Sequence, residues 1–287
     1  VEPETLPVCF SLHTGPASVL FRVTYYRRRI NVEVSHIISD GRGTLEFVRV
    51  LLAAYVEARY KVAVDRAPYA GTEAAKTEDS FSAHYDRAAA GADAQPKVFR
   101  LTGWKTDMDP TYLELHYPAD AVHAAAKACG ATVTSYLVAA VVCALRREMH
   151  GAERQRAIHM DVPVDLRALF GSTTLRNFFG LAYVTYVPGD ADEPLAEVAA
   201  RVQEQLAAGT QPASLKRRMM RMVKLEKNPL VRAVPLIVKD AALDFAAWRA
   251  AREVTCTVSS LGRVQLDDAV APYVEGMAEL LLAHGSA

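Results

Sequence analysis

The chain has 287 residues, enough for about two domains or one large domain with a substantial core. Hydrophobic residues make up 51% and charged residues 23%, which is the balance of a soluble globular protein. The 33 Lys and Arg residues equal the 33 Asp and Glu residues, so net charge gives no reason to expect a nucleic-acid partner.

Membrane, secretion and metal signals are absent from the sequence. No run approaches the roughly 20 apolar residues that a membrane span requires. The N-terminal stretch VEPETLPVCF has neither the basic nor the apolar segment of a secretory signal, so we expect a cytoplasmic protein. Because no two cysteines are closely spaced and the histidines do not cluster, we expect reduced thiols and no metal site. The four cysteines are Cys9, Cys129, Cys143 and Cys256.

The first predicted elements form a β-hairpin. Residues 19–26 and 30–36 alternate with the period of a strand, and the arginines at 27–29 predict the turn between them. His36 has the parity of the valines before it, so we expect its side chain on the same face of the sheet.

A helix follows this hairpin. The run of Asp40, Gly, Arg and Gly predicts a turn, and residues 44–60 predict a helix with Thr44 as its N-cap. From residue 61 to 97 the pattern dissolves into small and polar residues, which predicts a long surface connection.

The second half alternates helices and strands, which predicts a two-lobed α/β or α+β protein. The predicted elements are helices 120–129 and 132–149, strands 157–167 and 180–188, helices 194–208, 214–226 and 230–252, and strand 253–262.

One short motif stands out because the common nucleophile, phosphate, dinucleotide and zinc motifs are absent. His36, Asp40 and Gly41 form an H-x-x-x-D-G motif. It has two interpretations: an ordinary strand-turn-helix corner in which glycine supplies a positive φ, or a corner that holds an imidazole in front of a substrate.

The sequence around this motif resembles the acyltransferase superfamily of chloramphenicol acetyltransferase, peptide-synthetase condensation domains and alcohol acetyltransferases. The family motif is H-H-x-x-x-D-G, and SHIISDG matches it except that Ser35 replaces the first His. Four later stretches also resemble segments of this family, and they follow in the family's order: VTSYLVAAVVCAL, VPVDLR, LRNFFG and TVSSLGRV. The closest likeness is to bacterial alcohol-acetyltransferase-like proteins.

The resemblance implies an α/β fold, an α+β two-layer sandwich with two lobes and the active-site channel between them. We expect an N-terminal lobe at 1–75, a connecting loop at 76–100 and a C-terminal lobe at 101–287. Relative to the family pattern, the chain looks shortened at both ends.

The resemblance also implies a reaction. His36 would be the general base that moves an acyl group from a CoA thioester to a hydroxyl or an amine, since neutral imidazole suits proton transfer near neutral pH. Asp40 would be structural and paired with Arg167, and Gly41 and Gly43 would allow a tight turn. Acyl-CoA would be a cosubstrate, with no permanently bound cofactor.

Further residues have weaker assignments. Ser259 or Ser260 could contact an oxyanion or the substrate, or be ordinary turn serines. Asn177 has the same two alternatives, because NFFG also reads as a packing motif. A basic patch could meet CoA phosphates or a carrier protein, or simply face water. The patch comprises Arg217, Arg218, Arg221 and Lys224.

Two rival functions remain open at the level of sequence. A condensation-like domain would take its acyl donor from an acyl carrier protein. A degenerate relative would only bind a ligand or a partner, an interpretation that Ser35 favours.

Overall fold

The structure of the protein is a computed structural model. It describes residues 1–5, 12, 19–67, 71–86, 97–101, 115–189 and 191–277. The strands are β1 (Glu2–Pro3), β2 (Phe21–Tyr26), β3 (Arg29–Val34), β4 (Ile158–Asp165), β5 (Phe179–Tyr186) and β6 (Cys256–Thr257). The α-helices are α1 (Gly41–Tyr60), α2 (Glu73–Lys76), α3 (Ser80–Ala83), α4 (Ala119–Ala128), α5 (Val133–Glu148), α6 (Arg167–Phe170), α7 (Leu195–Gly209), α8 (Pro212–Glu226), α9 (Pro229–Ala233) and α10 (Leu236–Ala250).

The N-terminal sheet has the strand order β1-β2-β3, with β1 parallel to β2 and β2 antiparallel to β3. The predicted hairpin is therefore confirmed. The predicted second strand was too long, because β3 ends at Val34 and residues 36–38 form a turn. The last bond to the neighbouring strand runs from Ser35 N to Leu20 O at 2.8 Å. His36 thus belongs to a turn, and the parity of the strand does not set the direction of its side chain.

Helix α1 starts at Gly41 instead of at residue 44, and its N-cap is Asp40. The Asp40 backbone is extended, and its carboxylate accepts a 2.9 Å hydrogen bond from Gly43 N. The prediction of Thr44 as N-cap was wrong because the aspartate satisfies a free N–H of the first helical turn. Gly41 and Gly43 are consequently helical, and neither forms the tight turn that the resemblance implied.

The C-terminal sheet has the strand order β5-β4-β6, with β4 antiparallel to β5 and parallel to β6. Alternate residues of β4 and β5 face α5 and α7, and together these elements enclose the main core. Its most buried members are Val138, Ala139, Val142, Met149, Ile158, Met160, Ala182, Val184, Val198, Ala199 and Val202.

A second cluster lies beside this core and surrounds the buried ring of Phe178. Leu215 and Met220 of α8 pack there, with Phe81 of α3 and Phe170 of α6 at its border. The segment predicted as a loop at 76–100 therefore contains a short helix that packs against the second half. The boundaries at 75 and 100 stay a prediction.

Most other elements of the second half match the prediction within a few residues, and two do not. The helix predicted at 230–252 is two helices, α9 and α10, because Pro235 cannot continue the first one. The strand predicted at 253–262 is only two residues long in β6. It ends before Gly262, whose φ of 68° fits the predicted glycine turn. The α/β class itself is confirmed.

The cysteines within the described residues are free thiols, and each is partly buried; Cys9 lies outside those residues. Burial raises the pKa of Cys256 to about 11 and also raises that of Cys143. These thiols therefore behave as small hydrophobic groups.

Among the described residues, no single helix has the length and apolar character to cross a membrane. Helices α4 and α5 meet those criteria only as a pair, which is bent by 79°.

Candidate active site

His36 lies in the turn between β3 and α1, and its side chain is exposed. The imidazole meets the ring of Phe179 edge to face, with 5.7 Å between centroids and 69° between planes. Within the described part of the chain, no hydrogen bond reaches either ring nitrogen. The ring is therefore accessible, and no neighbouring acceptor fixes its tautomer.

Asp40, four residues further on, is buried and receives hydrogen bonds from both halves of the chain. Its two oxygens each lie 3.0 Å from an Arg167 guanidinium nitrogen. Phe178 N donates to Oδ2 at 2.8 Å, and Gly43 N donates to Oδ1 at 2.9 Å. Both carboxylate oxygens of Asp40 are therefore occupied by donors of the protein itself.

Arg167 is the centre of this network. Besides Asp40, its guanidinium binds the Asp165 carboxylate at 2.9 Å. It also donates to the carbonyl oxygens of Thr174 and Arg176, each at 2.7 Å. The two residues that the sequence analysis paired are thus in contact, and the same arginine also fixes the chain that follows it.

Residues 174–178, which we call the bridging segment, run between α2–α3 and the His36 turn. On one side, Leu175 N donates to Lys76 O, and Thr174 Oγ1 donates to Glu78 O, both at 2.7 Å. On the other side, Ser39 Oγ donates to Leu175 O at 2.6 Å. The bridging segment therefore ties three stretches that are far apart in sequence.

Gly43 marks the closest approach of this segment to α1. A Cβ at this position would overlap the carbonyl oxygen of Leu175 and the hydroxyl of Ser39. The backbone here is helical with no positive φ, so steric space, and not conformational freedom, requires the glycine.

The side chain of Asn177 binds the backbone of the turn that carries His36. Its Nδ2 donates to the carbonyl oxygen of His36 at 2.7 Å and faces that of Ile37 at 3.5 Å. The two serines predicted at this site, Ser259 and Ser260, have surroundings different from those of Asn177. Ser260 Oγ accepts from Gly262 N at 3.2 Å, and both Ser259 and Ser260 are exposed. In the ranges that the structure describes, no hydrogen bond joins either serine to His36.

Sequence reasoning missed three residues of this network: Ser39, Thr174 and Asp165. Each acts through backbone groups or through Arg167, and such contacts leave no spacing signal. Ser39 and Asp165 lie inside SHIISDG and VPVDLR, two stretches that the resemblance had singled out, whereas Thr174 lies outside every such stretch.

The sheet face that carries Phe179 also carries a buried histidine at its other end. His159 Nδ1 lies 2.8 Å from Thr185 Oγ1, and its ring stacks on Tyr183. Its Nε2 is buried and has no hydrogen-bond partner among the residues that the structure describes. Burial lowers the pKa of His159, while the nearby Asp161 opposes that shift. The folded state therefore favours neutral imidazole here.

Helix α8 only partly presents the predicted basic patch. Arg218 donates to Leu181 O at 3.1 Å and lies over the Tyr183 ring at 4.9 Å. It thus packs along β5. Arg217, Arg221 and Lys224 are exposed.

Comparisons with known proteins point to one fold. A family model described as the phthiocerol/phthiodiolone dimycocerosyl transferase C-terminus matches residues 106–242. None of the curated protein sequences matches the chain. Among solved structures, the first condensation domain of the calcium-dependent antibiotic synthetase, bound to a substrate analogue, is 19% identical with a TM-score of 0.57. That match covers 87% of this chain and 54% of the other.

A second solved structure is TRI101 of F. graminearum, complexed with coenzyme A and deoxynivalenol. It is 17% identical with a TM-score of 0.53, over 87% of this chain and 57% of the other. The chain therefore spans about half the length of these two structures, and the likeness is one of fold.

Proposed function

Since the chain has the fold of the CoA-dependent acyltransferase superfamily, which includes the condensation domains, we propose that it is an acyltransferase with His36 as general base. The acyl group would pass from a CoA thioester to a hydroxyl, or to an amine. The observation that carries this proposal is the contrast between the two motif residues. The His36 ring is exposed and unbonded within the described residues, whereas Asp40 is buried and fully engaged.

The proposed chemistry uses the imidazole twice. A hydroxyl attacks a thioester slowly unless a base removes its proton as the new C–O bond forms. His36 would take that proton, and the tetrahedral intermediate would then collapse with cleavage of the C–S bond. The proton would pass from the imidazolium to the departing thiolate, so no covalent acyl-enzyme is needed.

The oxyanion of this intermediate needs a hydrogen-bond donor. Ser259 and Ser260 remain candidates, since both are exposed and follow β6, which pairs with β4. Asp40, Gly41 and Arg167 would act structurally, holding the turn that carries His36.

Two observations support alternative acyl donors. TRI101 was solved with coenzyme A, which supports a CoA thioester. The likeness to a condensation domain favours, as a second candidate, a donor carried by an acyl carrier protein. A cytoplasmic location, where acyl-CoA is available, belongs to the same proposal.

The test is an acyl-transfer assay on the purified chain. Acetyl-CoA and longer acyl-CoAs are incubated with a panel of alcohols and amines, and a thiol reagent reports CoA release. Release that depends on the acceptor is the expected result. A carrier-dependent enzyme would turn over only with loaded carrier protein, and a degenerate relative would bind without turnover in either assay.

His36→Ala is the decisive variant. We expect its rate to fall by about 10²–10⁴-fold with little change in stability, because the ring is exposed. His123→Ala, which removes another exposed imidazole on α4, is the matched control and should keep the full rate. Unchanged turnover in His36→Ala would remove this residue from the mechanism.

A further inference from the structure

Asn177 is the residue through which the second half of the chain holds the backbone of the proposed base. We propose that Asn177 is a positioning residue for His36. It would fix the direction of the imidazole through the carbonyl group of His36, without touching the substrate. This inference rests on the proposed function, because it assumes that His36 is the base.

The first step concerns what sets the direction of the imidazole. The ring has no hydrogen bond within the described residues, so its direction depends on the backbone of the turn and on the edge contact with Phe179. At residues 36–38 the other hydrogen bonds in the described part of the chain are local: Ile38 N donates to Ser35 O at 3.0 Å, and Ile37 N to Ser35 Oγ at 3.4 Å. Asn177 supplies the hydrogen bond that reaches these three residues from the distant part of the chain.

The second step concerns the amide of Asn177. Its nitrogen faces the carbonyl oxygens of His36 and Ile37, so its hydrogens are directed to the turn. This geometry favours a positioning role for Asn177 over the predicted contact with an oxyanion or the substrate. Its Oδ1 is buried, and no described residue forms a hydrogen bond with it. An unpaired buried acceptor is costly, and a leucine of similar shape would avoid that cost. The amide is therefore poorly explained by stability alone.

The third step concerns the residues on either side of Asn177. The carbonyl of Arg176 accepts from Arg167 at 2.7 Å, and the N–H of Phe178 donates to Asp40 at 2.8 Å. Both flanking peptide groups are thus fixed by the buried ion pair. Asn177 is held between them and transmits their position to the His36 carbonyl.

A displacement of about 1 Å in a catalytic group can cost 10²-fold in rate. We therefore expect Asn177→Leu to lower kcat by about 10- to 100-fold while the KM values for acyl-CoA and acceptor change less than about threefold. The shape of the pH profile should be retained, since the imidazole is still present.

Gln205→Leu is the matched control. The Gln205 amide also binds the backbone of another element, accepting from Thr185 N at 2.8 Å and donating to Thr185 O at 3.1 Å. Gln205 lies on α7, so the variant should lose stability but keep kcat. If Asn177→Leu does not fold, the same kinetic measurements are made on Asn177→Ser, whose smaller side chain fits the space of the asparagine.

The outcomes separate the inference from its premise. Unchanged kcat in Asn177→Leu would overturn the inference, as would a rise in KM alone, which would indicate substrate contact. Loss of folding in both Asn177 variants would overturn it too, because the amide would then serve the fold. An active wild type in which His36→Ala keeps the full rate would instead refute the proposed base, and a wild type without turnover would refute both.

Discussion

Removal of the Arg167 side chain should destabilise the protein strongly. The Asp40 and Arg167 side chains are only 7% and 12% exposed, so the Asp40 carboxylate depends on Arg167 for charge compensation. In Arg167→Met, Asp40 keeps two backbone N–H donors but no cation. Breaking one partner of a buried ion pair typically costs about 3–5 kcal/mol. We expect a loss of this size in the free energy of unfolding.

Substitution of the other partner, Asp40, should lower the free energy of unfolding by less. In Asp40→Asn, Arg167 keeps the Asp165 carboxylate and the carbonyls of Thr174 and Arg176. An unmade hydrogen bond to a charged group costs about 1–3 kcal/mol. The double variant should be less destabilised than the sum of the two by roughly 1–3 kcal/mol, because the stranded carboxylate is gone.

Urea unfolding followed by circular dichroism measures these differences, and a thermal scan should show a midpoint lowered by roughly 10 °C in Arg167→Met. The control is Arg249→Met, which removes an exposed i,i+4 ion pair with Glu253 and should cost about 0.5 kcal/mol or less. If Arg167→Met were as stable as that control, the network would not hold the turn and the reasoning would fail.

Two further predictions concern other buried contacts. In a urea titration, Gly43→Ala should lower the free energy of unfolding by about 1–3 kcal/mol, because the new methyl group would overlap the carbonyl oxygen of Leu175. Gly276→Ala is the control: its methyl group would enter open space, so the free energy of unfolding should hardly change. His159 should make the free energy of unfolding depend on pH. Its pKa in the folded state lies below the unfolded value of about 6.5, so the folded state binds fewer protons than the unfolded state. Stability should therefore fall as the pH drops below that unfolded value. Urea midpoints from pH 5 to pH 8 should show this decline, and His159→Gln should weaken it; an equal slope in that variant would contradict the assignment.

The sequence by itself determined the elements with strong local signals. The hairpin of β2 and β3, helices α4, α5 and α7, and the pair β4 and β5 follow from their local patterns of apolar and polar residues. The likeness to the acyltransferase superfamily was also readable, and the shared fold agrees with it. Local signals failed where two residues could cap the same helix: the N-cap of α1 is Asp40 and not Thr44, and the helix begins at Gly41.

Only the tertiary structure decided which groups surround His36. Asn177 lies 141 positions from His36 in sequence, and its contact is to a carbonyl that every residue type possesses. The same holds for Leu175, whose carbonyl explains why Gly43 has no side chain. A backbone acceptor leaves no trace in the residue type that carries it. Such contacts exist only once the chain has brought the bridging segment against the turn.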